Sequence, residues 1–77
     1  MNQANNGGFT PLFVASYNGH LEVVKLLIAS GGLVNQSNNN GNTPLMIASE
    51  NGHLDVVKLL IASGGSVNEA NNDGMTP

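Results

Sequence analysis

Apolar residues are concentrated in two nearly identical segments, LEVVKLLIAS at 21–30 and LDVVKLLIAS at 54–63. In each segment only an acid, a lysine and a serine are polar, so a helix formed there would be apolar on almost every side. Such a helix has to be covered by more than one neighbour, and we expect Leu27 and Leu60 to lie in the core. A shorter segment of mixed character precedes each one, at 11–18 and 44–51, and predicts a first, shorter helix.

The residues that flank these segments predict where the helices begin and end. Thr10 and Thr43 are good N-caps, and the proline after each suits the first helical position, where no amide hydrogen is needed. Asn-Gly pairs predict the ends of the first helices, and Gly-Gly pairs predict the ends of the second. The Asn-rich runs that follow favour turns, so we expect an extended hairpin between one helix pair and the next.

The chain repeats itself with a period of 33 residues. Gly8, Gly41 and Gly74 lie 33 apart, and the two full copies differ at nine positions. Because one helix pair cannot bury its apolar faces alone, the period predicts a solenoid in which each repeat contacts only its neighbours. We divide the single unit 1–77 into a partial repeat, two full repeats and the start of another, at 1–7, 8–40, 41–73 and 74–77.

Both repeats closely resemble the ankyrin repeat, as the segments GFTPLFVASYNGHLEVVKLLIASGGLVN and GNTPLMIASENGHLDVVKLLIASGGSVN show. The resemblance covers nearly all of the chain. It implies an all-α solenoid of stacked helix-turn-helix pairs joined by β-hairpin-like loops. One departure concerns the residue after Thr-Pro-Leu, which is usually His in the family and is Phe13 or Met46 here. That departure removes a polar contact commonly made within the stack.

Composition narrows the possible functions. The formal charge is −3, from five acidic residues and two lysines, which cannot supply the phosphate contacts that nucleic-acid binding needs. The absence of cysteine excludes disulfides and thiolate metal sites. The N-terminal MNQANNGG lacks the features of a signal peptide, and no apolar stretch is long enough to span a membrane. We therefore expect a soluble, cytoplasmic protein that binds neither nucleic acid nor membranes.

No catalytic, cofactor or metal site is predicted. His20 and His53 occupy the same place in adjacent repeats, so they should stand a helix-packing distance apart with no third ligand beside them. We interpret both as residues that fix the turn and start the second helix. The serines lack the oriented base that a nucleophile requires, and the sequon at Asn35 is a chance match in an Asn-rich chain. We expect a protein without enzymatic activity.

Replacements between the two repeats suggest a binding face. All three aromatic residues lie in the first repeat, and their counterparts in the second are Asn42, Met46 and Glu50. In the family, the residue between Gly and Thr and the two residues before the glycine of Asn-Gly project onto the concave face of hairpins and first helices. With the asparagines of the hairpins, the resemblance implies a partner-binding set of Phe9, Tyr17, Asn18, Asn39, Asn40, Asn42, Glu50, Asn51 and Met75.

Alternatives remain for these residues and for the whole chain. Phe13 is expected to pack within the stack, whereas Phe9 could bind a partner or simply cover apolar surface. The concave face predicts a module that binds a protein partner. The near-identity of the repeats equally fits a spacer, or a designed minimal unit of a longer array, with no partner of its own.

Self-association is a further expectation. Solenoids need terminal repeats with polar outer faces, and stable ones usually have about three repeats or more. Neither repeat here has the polar residues of such a capping repeat. Apolar surface should therefore be exposed at the ends of the stack. Seamless head-to-tail stacking would make the hairpin halves at 1–10 and 68–77 compete for one place, so we expect a two-fold dimer or an exchange of terminal segments.

Overall fold

The computed structural model describes residues 3–77 and contains four helices: α1 (Pro11–Tyr17), α2 (Leu21–Ala29), α3 (Pro44–Glu50) and α4 (Leu54–Ala62). No strand is present in this described part of the chain. The helices recur at the predicted spacing and lie within a residue of the predicted bounds. The all-α fold class is therefore confirmed.

Threonine hydroxyls cap both first helices, as the sequence predicts. Thr10 Oγ1 accepts the backbone N–H of Phe13 at 3.2 Å, and Thr43 Oγ1 accepts that of Met46 at 3.3 Å. The Met46 sulfur also lies 3.4 Å from the Thr43 nitrogen, a weak acceptor for the N-cap N–H. His20 and His53 precede the second helices, but neither ring caps its own helix. The two histidines therefore help to start the helices through their backbone groups alone, and not through their rings as well.

The helices form a two-layer stack. Helix α1 packs against α2 and α3, and α4 packs against α2 and α3. The core lies between the layers, and its buried side chains come from all four helices: Leu12, Ala15, Val24, Leu45, Ala48, Val56 and Leu60. Leu60 is fully buried as expected, but Leu27 is only half-buried and packs at the edge of the core. Two residues with the same sequence context thus differ in burial because only Leu60 belongs to a repeat with a preceding helix pair packed against it.

The connections are tight turns with the outline of hairpins. We call residues 5–8, 38–41 and 71–74 the turn tips. In the central tip the Asn38 N–H donates to the Asn42 carbonyl at 2.9 Å. The Asn38 side-chain oxygen accepts the N–H groups of Asn40 and Asn42 at 2.9 and 3.0 Å. Asn5 and Asn71 make the same bonds in the other two tips, so the recurring asparagine shapes each turn.

The four helices have seven or nine residues each. Within residues 3–77, none is long and apolar enough to cross a membrane.

Candidate protein-binding face

Aromatic side chains form a cluster at the first repeat. The rings of Phe9 and Phe13 lie with centroids 5.1 Å apart at an interplanar angle of 57°. Phe13 is buried, as expected for a packing residue, while Phe9 is 37 % and Tyr17 52 % exposed. Tyr17 follows Phe13 by one helical turn on α1, so it lies on the same side of that helix. We call Phe9, Phe13 and Tyr17 the aromatic cluster.

The corresponding positions of the second repeat border a cavity of about 490 Å³. Its lining includes Met46 and Glu50 of α3, Asp73 of the last turn tip and Met75, which follows that tip. Met46 is nearly buried, whereas Met75 is 64 % exposed. The cavity therefore combines apolar sulfur-containing side chains with two carboxylates, and the structure brings the predicted residues Glu50 and Met75 together there.

Asparagines connect each turn tip to the next. Asn39 donates its backbone N–H to the Gly7 carbonyl at 3.1 Å and its side-chain Nδ2 to the Asn6 carbonyl at 3.0 Å. Asn72 repeats this arrangement on the central tip, with bonds of 2.9 and 3.1 Å to the carbonyls of Asn40 and Asn39. These bonds join residues that lie 32 or 33 apart in the sequence. The tips are thus linked as a ladder along one edge of the stack.

Most of the other predicted asparagines also have partners inside the molecule. Asn42 lies half-buried, and its side-chain oxygen accepts Asn71 Nδ2 at 2.7 Å. Asn18 Nδ2 donates to the Val14 carbonyl of its own helix at 3.1 Å. Asn51 Nδ2 instead donates across the repeats, to the Tyr17 carbonyl at 3.0 Å. Their amide groups contribute to the stack itself, and a role in partner binding stays a prediction.

His53 has a structural role that sequence reasoning missed. Its Nε2 lies 2.9 Å from the Tyr17 carbonyl, the same oxygen that receives the Asn51 amide. The Cβ of an alanine at Gly19 would lie 2.6 Å from the His53 ring, so the ring packs directly over the preceding Asn-Gly turn. The signal in the sequence that could have indicated this role is the Asn-Gly-His segment that occurs in both repeats, because a group that links neighbouring repeats must recur with the period.

Asn35 also links the repeats. Its side-chain oxygen accepts the Ser66 N–H at 2.8 Å and its Nδ2 donates to the Gly64 carbonyl at 3.1 Å. This accounts for an asparagine at the first position of the sequon. In the described part of the chain, no three His, Asp or Glu side chains come together as a possible metal site.

Comparison with known proteins identifies the fold family. A family model described as "Ankyrin repeats (3 copies)" matches residues 1–71. The chain is also similar to the E3 ubiquitin-protein ligase XBAT32 of Arabidopsis thaliana, with 53 % identity over 34 residues. That match covers 44 % of this chain and 7 % of the length of the ligase. The family is generally non-enzymatic, and its repeats generally serve as protein–protein interaction modules. The chain belongs to the ankyrin repeat family.

Proposed function

We propose that this chain binds a protein partner on the face formed by the turn tips and the first helices α1 and α3. The observation that carries the proposal is the aromatic cluster, in which a buried ring supports an exposed one. Phe9 and Tyr17 together present aromatic area to solvent in a chain whose other aromatic side chain is buried. A few hot-spot residues supply most of the binding energy of a protein interface, and Tyr is enriched among them; Tyr and Phe are both enriched at interfaces.

The packing of Phe9 makes it a suitable anchor. A side chain that is held before binding loses less conformational entropy when a partner arrives. Phe13 holds the Phe9 ring in a tilted contact, and this geometry is favourable for aromatic pairs. Because 37 % of Phe9 still faces solvent, this ring has area left to offer to a partner.

The second repeat adds a different chemistry to the same face. Glu50 and Asp73 line the cavity beside Met46 and Met75. The part of the face contributed by the second repeat therefore suits a partner segment that carries a cationic side chain next to an apolar one. Asn39, Asn42 and Asn51 use their amides within the stack and act mainly by fixing the shape of the face. The exposed residues Phe9, Tyr17, Glu50 and Met75 are the proposed contact set, with Asn18 and Asn40 at its margin.

Affinity capture with quantitative mass spectrometry, followed by titration of the purified captured protein, tests the proposal. Compared with the wild-type chain, a Phe9→Ala/Tyr17→Ala variant should lose at least about tenfold in affinity, as expected when hot-spot residues are truncated. A matched Leu33→Ala/Val67→Ala variant removes two exposed apolar side chains outside this face and should bind as the wild type does. Equal binding by all three chains would contradict the proposal and favour the spacer function.

A further inference from the structure

Asn38 in the central turn tip has a side-chain amide that the tip uses only in part. Its oxygen accepts the N–H groups of Asn40 and Asn42, and these two bonds fix which end of the amide is the nitrogen. The residue is only 7 % exposed. Its Nδ2 nevertheless makes no hydrogen bond within residues 3–77, so one donor of a buried side chain has no partner in this part of the chain.

The equivalent amide in the last tip shows where an acceptor would stand. Asn71 shapes its tip as Asn38 does, and its Nδ2 donates to the side-chain oxygen of Asn42 at 2.7 Å. One period earlier, the residue in the place of Asn42 is Phe9. A phenyl ring has no oxygen that can accept a hydrogen bond. The donor of Asn38 is therefore unpaired because residue 9 is aromatic.

Contacts between the first two tips place Asn38 beside Phe9. A Cβ added to Gly8, the residue before Phe9, would lie 3.0 Å from the Asn38 Cα. The Phe9 ring lies back over its own tip, because a Cβ added to Gly7 would collide with it. The central tip has a bonded tip on each side within the chain. The free donor thus results from the residues present and not from a missing neighbour.

The donor can be reached from solvent. Among the buried side-chain nitrogen and oxygen atoms of residues 3–77, only Ser16 Oγ is sealed from solvent without a partner. Asn38 Nδ2 is therefore open to water, next to the exposed part of Phe9. A partner that covers Phe9 displaces this water and buries the donor, which weakens binding unless the partner brings an acceptor of its own.

We infer that Asn38 determines specificity on the proposed binding face, by donating its Nδ2 to a backbone carbonyl of the partner segment whose apolar side chain packs on Phe9. The inference rests on the proposed function of that face. A neutral carbonyl fits better than a carboxylate, because the chain has a formal charge of −3 and Glu50 and Asp73 border the same face.

The required acceptor limits the conformation of the partner segment. Backbone carbonyls in the middle of a helix are already bonded within that helix. The segment that meets Phe9 and Asn38 is therefore extended, or it ends a helix at this point. A partner that presents only apolar groups there leaves the donor unpaired and is rejected.

An isosteric substitution removes the donor and leaves the turn intact. Asn38→Asp keeps an oxygen for the N–H groups of Asn40 and Asn42, and these two donors favour the ionised form of the new carboxylate. Asn5→Asp is the matched control and changes the charge by the same amount. The Asn5 oxygen accepts two backbone N–H groups in the first tip in the same way, but this residue is exposed.

Peptides selected on the wild-type chain from a random library displayed on phage provide the probe, and fluorescence polarisation measures their affinity for each variant. Asn38→Asp should bind them at least about tenfold more weakly, because a repelling acceptor replaces the donor. Asn5→Asp should bind as the wild type does. If circular dichroism shows that Asn38→Asp has lost helix, Asn38→Ser takes its place, because a hydroxyl shapes such a turn more weakly but carries no amide donor.

NMR of the isotope-labelled chain tests the donor without any partner. The side-chain amide protons of Asn71, which are bonded to Asn42, should exchange with water more slowly than those of Asn38. In a Phe9→Asn variant, residue 9 regains the acceptor that Asn42 provides in the second repeat. Exchange at Asn38 should then slow to the rate seen at Asn71.

Three results would overturn the inference. They are wild-type affinity of Asn38→Asp for the selected peptides, equal weakening by Asn38→Asp and Asn5→Asp, and an Asn38 amide that exchanges as slowly as the Asn71 amide in the wild-type chain. The proposed function fails separately, when the Phe9→Ala/Tyr17→Ala variant keeps the wild-type affinity. Weakening by that variant together with unchanged binding by Asn38→Asp refutes the role of Asn38 alone.

Discussion

The first and second repeats have almost the same sequence but different surroundings. Leu60 is fully buried between the helix layers, whereas Leu27, its counterpart, is half-buried. Val56 is fully buried and Val23 nearly half exposed. The difference teaches that burial in a stacked protein belongs to a position between neighbours and is not a property of the residue or of its local sequence.

Polar groups show the same contrast. Asn51 and His53 reach back to the Tyr17 carbonyl of the preceding repeat. Asn18 turns to its own helix instead, at the Val14 carbonyl. Asn51 and His53 therefore link two repeats, whereas the equivalent Asn18 and His20 make no hydrogen bond to another repeat within residues 3–77. The same substitution at equivalent positions of the two repeats can measure how much the neighbours of each position contribute to stability. The measurement is urea unfolding at concentrations where the chain is monomeric.

The largest effect is expected at the core leucines. Leu60→Ala should lower the free energy of unfolding by about 2–5 kcal/mol, because it leaves a cavity at a fully enclosed site. Leu27→Ala should cost only about 1–2 kcal/mol, because part of this side chain already faces solvent. Equal losses in the two urea titrations would contradict the assignment of Leu27 to the edge of the core.

Glycines at the two Asn-Gly turns provide a sharper comparison. Gly19 and Gly52 have φ angles of 70° and 73°, so alanine at either position costs about 1–2 kcal/mol in the left-handed region. The added Cβ meets nothing at Gly52 but meets the His53 ring at Gly19. Gly19→Ala should therefore cost about 1 kcal/mol more than Gly52→Ala, the worth of the displaced hydrogen bond.

A double-mutant cycle tests this explanation. In a His53→Ala background, the ring is absent and the extra cost of Gly19→Ala should disappear. An extra cost that persists would show that the His53 ring is not its cause.

The histidines themselves should differ by a smaller amount. His53→Ala removes the contact with the Tyr17 carbonyl and should destabilise the chain by about 0.5–1.5 kcal/mol. His20→Ala, which removes a ring without such a partner in residues 3–77, should leave the urea midpoint close to that of the wild type. A larger loss at His20 than at His53 would reverse the comparison.

The smallest effect is expected at the surface pair. Lys25 Nζ lies 3.3 Å from a Glu22 carboxylate oxygen, and both side chains are more than half exposed. In the second repeat the shorter Asp55 instead accepts the N–H of Val56 at 2.8 Å. Lys25→Ala and Lys58→Ala should each change stability by less than about 0.5 kcal/mol. A loss above 1 kcal/mol at Lys25 alone would mean that the Glu22 pair matters more than solvent screening allows.

Much of the architecture could be predicted from the sequence because its signals are local. The Thr-Pro caps, the glycines at helix ends and the apolar runs each act within a few residues, and all of them recur every 33 positions. They set the bounds of α1 to α4 and the order of the stack. The sequence also marks Phe9, Phe13 and Tyr17 as the main difference between the repeats, and Phe13 is buried as predicted.

The roles of the asparagines and histidines could not be predicted in the same way. Asn39 and Asn51 look alike as polar surface residues in a sequence, but each donates to a carbonyl more than 30 residues away. The sequence does not show which carbonyl a side chain will face. For this reason the predicted face includes amides that the structure uses to hold the stack together.

The sequence by itself determined the helices, their caps and the period of 33 residues, because these depend on short-range backbone preferences. Only the tertiary structure decided which copy of each residue is buried and which amide links neighbouring repeats. Val23 and Val56 make the reason plain, since both sit in the same Val-Val-Lys-Leu-Leu run and only Val56 has a preceding helix pair packed against it. Burial is a relation between two surfaces, and a repeated sequence specifies both surfaces without stating which of them will meet.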